Sequence, residues 1–146
     1  MRVAVNGEIT VDHVLADGGL SGRGRLTVLR LAWHPQDPLA VNLRLSAQPD
    51  HPALPRGSWV VLRDFLRYGL EEPTGDGVVR IWPDSLRPVI WLELEQYGRP
   101  ACVSVPCAPV EAFLAATELV VPTGDEAGPA VLDALVKRLL DAAGPS

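Results

Sequence analysis

Apolar and polar residues alternate through the first half of the chain. Val3, Val5, Ile9, Val11 and Leu15 are apolar, while Asn6, Glu8, Thr10 and Asp12 between them are polar. That period of two marks a half-buried strand. The glycine-rich stretch 17–24 predicts a hairpin turn. A second strand follows over 25–33, and two prolines in 33–41 make a tight connection. From Leu39 to Ser46, Leu39, Val41, Leu43 and Leu45 share one face and Asn42, Arg44 and Ser46 the other. One face of this third strand therefore meets solvent or a partner.

Residues 47–57 are proline-rich and predict a loop, and 58–62 a short fourth strand. Leu62, Phe65 and Leu66 then have helical spacing, with Gly69 placed to stop the helix by a left-handed turn. A turn over 70–77, where Gly75 and Gly77 permit positive φ, leads to a fifth strand at Val78–Trp82. A sixth covers Val89–Gln96, and a seventh, Ala101–Val105, pairs back as a hairpin.

Beyond this point the period changes. Pro109 suits a helix start, and Val110, Phe113, Leu114 and Thr117 share a face. After a linker, a last helix opens near Pro129. Its stripe of Val131, Leu132, Leu135, Val136, Leu139 and Leu140 lies opposite Asp133, Lys137 and Asp141. Such a stripe buries itself on its own sheet or on another subunit. The chain reads as one α+β domain, residues 1–146, with about seven strands and three helices, the last two C-terminal. "PTGD" at 73–76 returns at 122–125, which we read as reuse of turn chemistry.

Composition narrows the function. The 146 residues carry a formal net charge of −5, and twelve of the thirteen cations are arginine. An acidic balance argues against non-specific nucleic-acid binding, which needs clustered cations. Arg23, Arg25, Arg30 and Arg44, with Trp33 nearby, keep a single-strand-binding surface as the alternative. Cys102 and Cys107 lack the spacing and histidine partner of a zinc site, so reduced thiols and a cytoplasmic protein are expected. The first residues hold no signal-peptide core, and no run of eighteen apolar residues suggests a membrane span.

Catalytic patterns fail one by one. A phosphate loop runs from strand to helix, whereas 70–83 runs from helix to strand; Arg80 stands where a third glycine would be needed. Arg23 breaks a nucleophile elbow at Ser21. His13, His34 and His51 have no metal spacing, and the acid pairs Glu71–Glu72 and Glu93–Glu95 read as solvated. No enzyme and no cofactor are expected.

Residue order carries more. "QDPLAVNLRL", "WVVLRDFLRYGLEEPTGDGVVRIWP" and "PVEAFLAATELVVPTGDE" closely resemble the SsgA-like proteins, sporulation and cell-division regulators of filamentous actinobacteria. The family order is carried by Trp59, Arg63, Asp64, Leu66, Gly69, Leu70, Pro73, Gly75, Gly77, Val79, Arg80, Trp82 and Pro83. Phe65, Arg67, Tyr68 and Val78 depart from it, as does the proline-rich 46–57 insertion. The resemblance implies a Whirly-like curved antiparallel sheet with helices, assembled as a homotrimer. It also implies a non-enzymatic adaptor that helps place FtsZ at sporulation septa, with FtsZ or other SsgA-like proteins as partners. Trp59, Leu66 and Trp82 would pack, and Arg63 with Asp64 would lock the helix. Arg67, Tyr68 and Arg44 are the candidates for partner contact.

Overall fold

A computed structural model describes residues 3–14, 25–46, 57–96, 98–125, 137 and 139–140. Along the chain run β1 (Val5–Val14), β2 (Arg25–His34), β3 (Asp37–Ser46), β4 (Gly57–Leu62) and α1 (Arg63–Gly69). They are followed by β5 (Thr74–Asp76), β6 (Val79–Pro83), β7 (Val89–Gln96), β8 (Arg99–Pro106) and α2 (Cys107–Val120). The strands form one sheet in the order β4-β3-β2-β1-β8-β7-β6-β5, antiparallel throughout.

The alternation read from the sequence is the alternation of burial. Ile9 and Val11, Leu29 and Leu31, Leu43 and Leu45, and Leu92 and Leu94 all face the core. Their neighbours Glu8, Arg30, Asn42 and Arg44 are exposed. The apolar face lies inside a curl. Trp59 of β4 reaches Glu95 of β7 by an indole N–H to carbonyl bond of 3.0 Å, so the ends of the sheet approach each other. α1 and α2 pack with the core through Leu66, Val110, Phe113 and Leu114. β1 pairs with β8 only over Asp12–Val14. Earlier in β1, Phe113 lies so near Gly7 that a Cβ there would sit 3.3 Å from its ring.

Several expectations need correction. There are eight strands among the described residues, not seven: the supposed turn 70–77 contains β5, which pairs Thr74–Asp76 with Val79–Ile81. Gly77, at φ 81°, opens the two-residue connection between β5 and β6, as primed hairpin turns require. Gly69 does not stop α1 by a left-handed turn. It is the last helical residue, and it is buried because Ile81 packs on it. α2 begins at Cys107, two residues before Pro109. Proline is tolerated in a first turn because N–H groups there have no intrahelical acceptor. The expected turn 17–24, the loop from 47 and most of the last helix lie outside the described residues. Within that helix Lys137, Leu139 and Leu140 are helical.

Candidate partner-binding surface

The family block is built around α1. Successive helical residues diverge by about 100°, so Arg63 and Asp64 point to different surroundings. Arg63 turns inward and is buried. Its guanidinium carbon stands 5.6 Å from the Trp33 ring centroid. Nη1 donates to the Val121 carbonyl at 2.8 Å and to Thr117 Oγ1 at 3.3 Å. A cation thus meets the carboxyl-terminal end of α2, where the helix dipole is negative. Asp64 instead accepts from Arg67 at 2.6 Å, and the same guanidinium reaches Glu118 at 2.7 Å. Thr123 donates its hydroxyl to Glu118.

The other sequence-predicted residues fall into three environments. Trp59, Leu66 and Gly69 are buried, and Leu70 packs against the core. Trp82 and Pro83 are half-buried. Pro73, Gly75, Gly77 and Arg80 are exposed, and a side chain at Gly75 would meet the Val79 carbonyl at 2.4 Å. Of the partner-contact candidates, Arg67 is engaged between α1 and α2, whereas Tyr68 and Arg44 are exposed.

Sequence reasoning missed Asp84. One carboxylate oxygen accepts from the Leu86 and Arg87 backbone N–H groups at 2.8 and 2.9 Å, and the other from the Trp91 indole at 3.0 Å. These donors, the Leu86 N–H first, hold its pKa at about 2 rather than 3.8. The Arg87 guanidinium lies over Trp91 at 5.7 Å and completes the cluster. An aspartate placed just after a strand, two and three residues before N–H donors, is the signal of an Asx turn.

The polar outer face of β1–β4 holds an open depression of about 600 Å³. Two cross-strand rows line it. Glu8, Arg30, Arg44 and Ser58 stand opposite one another in one row, and Asn6, Ala32 and Asn42 in the next. Elsewhere on the sheet Cys102 faces Glu93 across β7 and β8. Burial, then the Glu93 charge, pushes its thiol up to about 11, which leaves it a poor nucleophile. Among the described residues no group of three or more His, Cys, Asp or Glu could hold a metal, and no helix is long and apolar enough to cross a membrane.

Residues 27–126 match the family described as Streptomyces sporulation and cell division protein, SsgA. The chain is 33% identical over 98 residues to sporulation-specific cell division protein SsgB of Streptomyces coelicolor, covering 66% of this chain and 69% of that protein. It is 35% identical over 112 residues to SsgB of Salinispora tropica, covering 75% and 77%. A solved structure from a study of SsgB mutations and longitudinal cell division during sporulation of Streptomyces coelicolor superposes with a TM-score of 0.73. Identity there is 30%, with 86% of this chain and 94% of the other covered. The SsgA-like sporulation-specific cell division protein of Thermobifida fusca has the same fold, with a TM-score of 0.72 at 23% identity over 96% of both chains. Matched across the block from Trp59 to Pro83 and well beyond it on both sides, the chain belongs to the SsgA family of sporulation and cell division proteins.

Proposed function

We propose that this chain is a non-enzymatic adaptor of sporulation-specific cell division that helps to recruit the FtsZ machinery to septa. The observation that carries the reading is family membership, with relatives that share the name sporulation-specific cell division protein. The protein is cytoplasmic and gathers at the septum. It acts by binding, either to FtsZ directly or to another SsgA-like protein. As a homotrimer it presents three copies of one weak surface, and avidity multiplies the affinity. Support for association comes from apolar side chains left exposed, among them Val60, Leu62, Tyr68 and Val78.

A fluorescent fusion tests the role: ladders at nascent septa of sporulating filaments are expected, and a diffuse signal in the same cells refutes it. Capture of FtsZ, or of another SsgA-like protein, from a sporulating lysate identifies the partner. Light scattering that reports a monomer at tens of micromolar removes the trimer.

A further inference from the structure

The strongest unassigned feature is a positive island on an acidic chain. Arg30 and Arg44 are direct cross-strand neighbours on the outer face of β2 and β3. Like charges placed so destabilise a sheet, and the offset here falls on Arg30 alone. Glu8 approaches Arg30 only to 3.5 Å, with both side chains more than half exposed. Arg30 also donates to Ser46 Oγ at 3.1 Å. Arg44 forms no ion pair among the described residues. Beside the pair, Ala32 leaves a low floor between the amides of Asn6 and Asn42, in an open depression rather than on a flat sheet.

We propose that this face docks an extended acidic peptide of a partner protein, with Arg30 and Arg44 taking two carboxylates and Asn6 and Asn42 bracketing the peptide backbone over Ala32. A guanidinium fork matches a carboxylate in two parallel hydrogen bonds. An amide side chain both donates and accepts, as a peptide backbone requires. Alternate residues of an extended chain project to the same side about 6.6 Å apart, a separation two long arginines on neighbouring strands can serve. Glu8, at the rim, accepts a peptide N–H. Nucleic acid fits less well. None of the described residues lining the depression is aromatic, so they offer bases no stacking platform. The inference deepens the adaptor reading and rests on it only for the cellular source of the peptide.

Fluorescence anisotropy of the full chain with a labelled alternating Glu-Ala peptide tests the site. Expected are saturable binding that weakens with salt, none with the matched Gln-Ala peptide, and a loss of about tenfold or more in Arg30→Glu and Arg44→Glu. The double reversal R30E/R44E should instead take a Lys-Ala peptide, which a merely unfolded variant would not do selectively. Absence of saturable binding, equal binding of the Gln-Ala peptide, or binding unchanged in R44E overturns the proposal. So does tighter binding of oligothymidylate at the same arginines. The septal fusion reads the adaptor role separately: a diffuse fusion with intact Glu-Ala binding defeats that role while supporting the docking chemistry.

Discussion

The indole N–H of Trp59 on β4 donates to the carbonyl of Glu95 on β7 at 3.0 Å, although β3, β2, β1 and β8 stand between those strands in the sheet. The bond exists because the sheet curls around its apolar face, and a buried indole must find an acceptor. Trp59→Phe should keep the ring packing and lose about 0.5–1.5 kcal/mol. Trp59→Ala should lose about 3–5 kcal/mol by opening a cavity between the two ends of the sheet. Urea denaturation measures both. A Phe variant as stable as the parent would show that the bond contributes nothing to the curl.

Gly69 and Ile81 make a closer contact. A Cβ on Gly69 would stand 2.4 Å from Ile81 Cγ2. Helix propensity alone favours Gly69→Ala by about 1 kcal/mol, but overpacking costs about 1–3 kcal/mol. With so short an approach the steric term wins, so Gly69→Ala should destabilise. In the double variant with Ile81→Ala the loss should be smaller than the sum of the two single losses. Additive losses would mean that α1 shifts freely away from β6.

Neither the Trp59–Glu95 bond nor the Gly69–Ile81 contact is written in the local pattern of the chain. The long strands were legible because they alternate between core and solvent, as Val41 to Leu45 does; just before it Ala40 and Val41 are both buried, which breaks the alternation. β5 was not, since Thr74, Gly75 and Asp76 offer no apolar alternation and become a strand only by pairing with β6. Gly69 was expected to act through its backbone; its role lies in a contact with Ile81, twelve positions away. The outer face was partly legible, because Arg44 stands on the polar side of an alternating strand. That Arg30 stands opposite it depends on register, and a slip by one residue would turn either side chain to the other face.

Among the described residues, Arg63 is the charged side chain most committed to the interior. It joins α1 to Trp33 of β2 and to the end of α2. Arg63→Met removes donors from the Val121 carbonyl and the Thr117 hydroxyl, and should cost at least about 1–3 kcal/mol. Arg63→Lys should not restore stability, because a compact ammonium cannot keep the place over the Trp33 ring and both hydrogen bonds together. Thermal melts of the two variants decide the point. A Lys variant as stable as the parent would reduce Arg63 to a buried positive charge without geometric demand.

Asp84 makes the loop between β6 and β7 sensitive to acid. Its carboxylate is held at about 2 by the Leu86 N–H, the Trp91 indole and the Arg87 N–H, against an ordinary 3.8. The folded value lies below the unfolded one, so ionised Asp84 favours the folded loop above about pH 4. That contribution fades as pH falls from there toward 2. The Trp91 Nε1–H resonance should therefore titrate with a midpoint near 2, and Asp84→Asn should abolish the titration. Asp84→Asn should also flatten the fall in stability over this window, since an amide cannot lose the charge that accepts these bonds. A midpoint near 3.8, or an unaltered acid limb in the Asn variant, would show that the loop does not depend on this carboxylate.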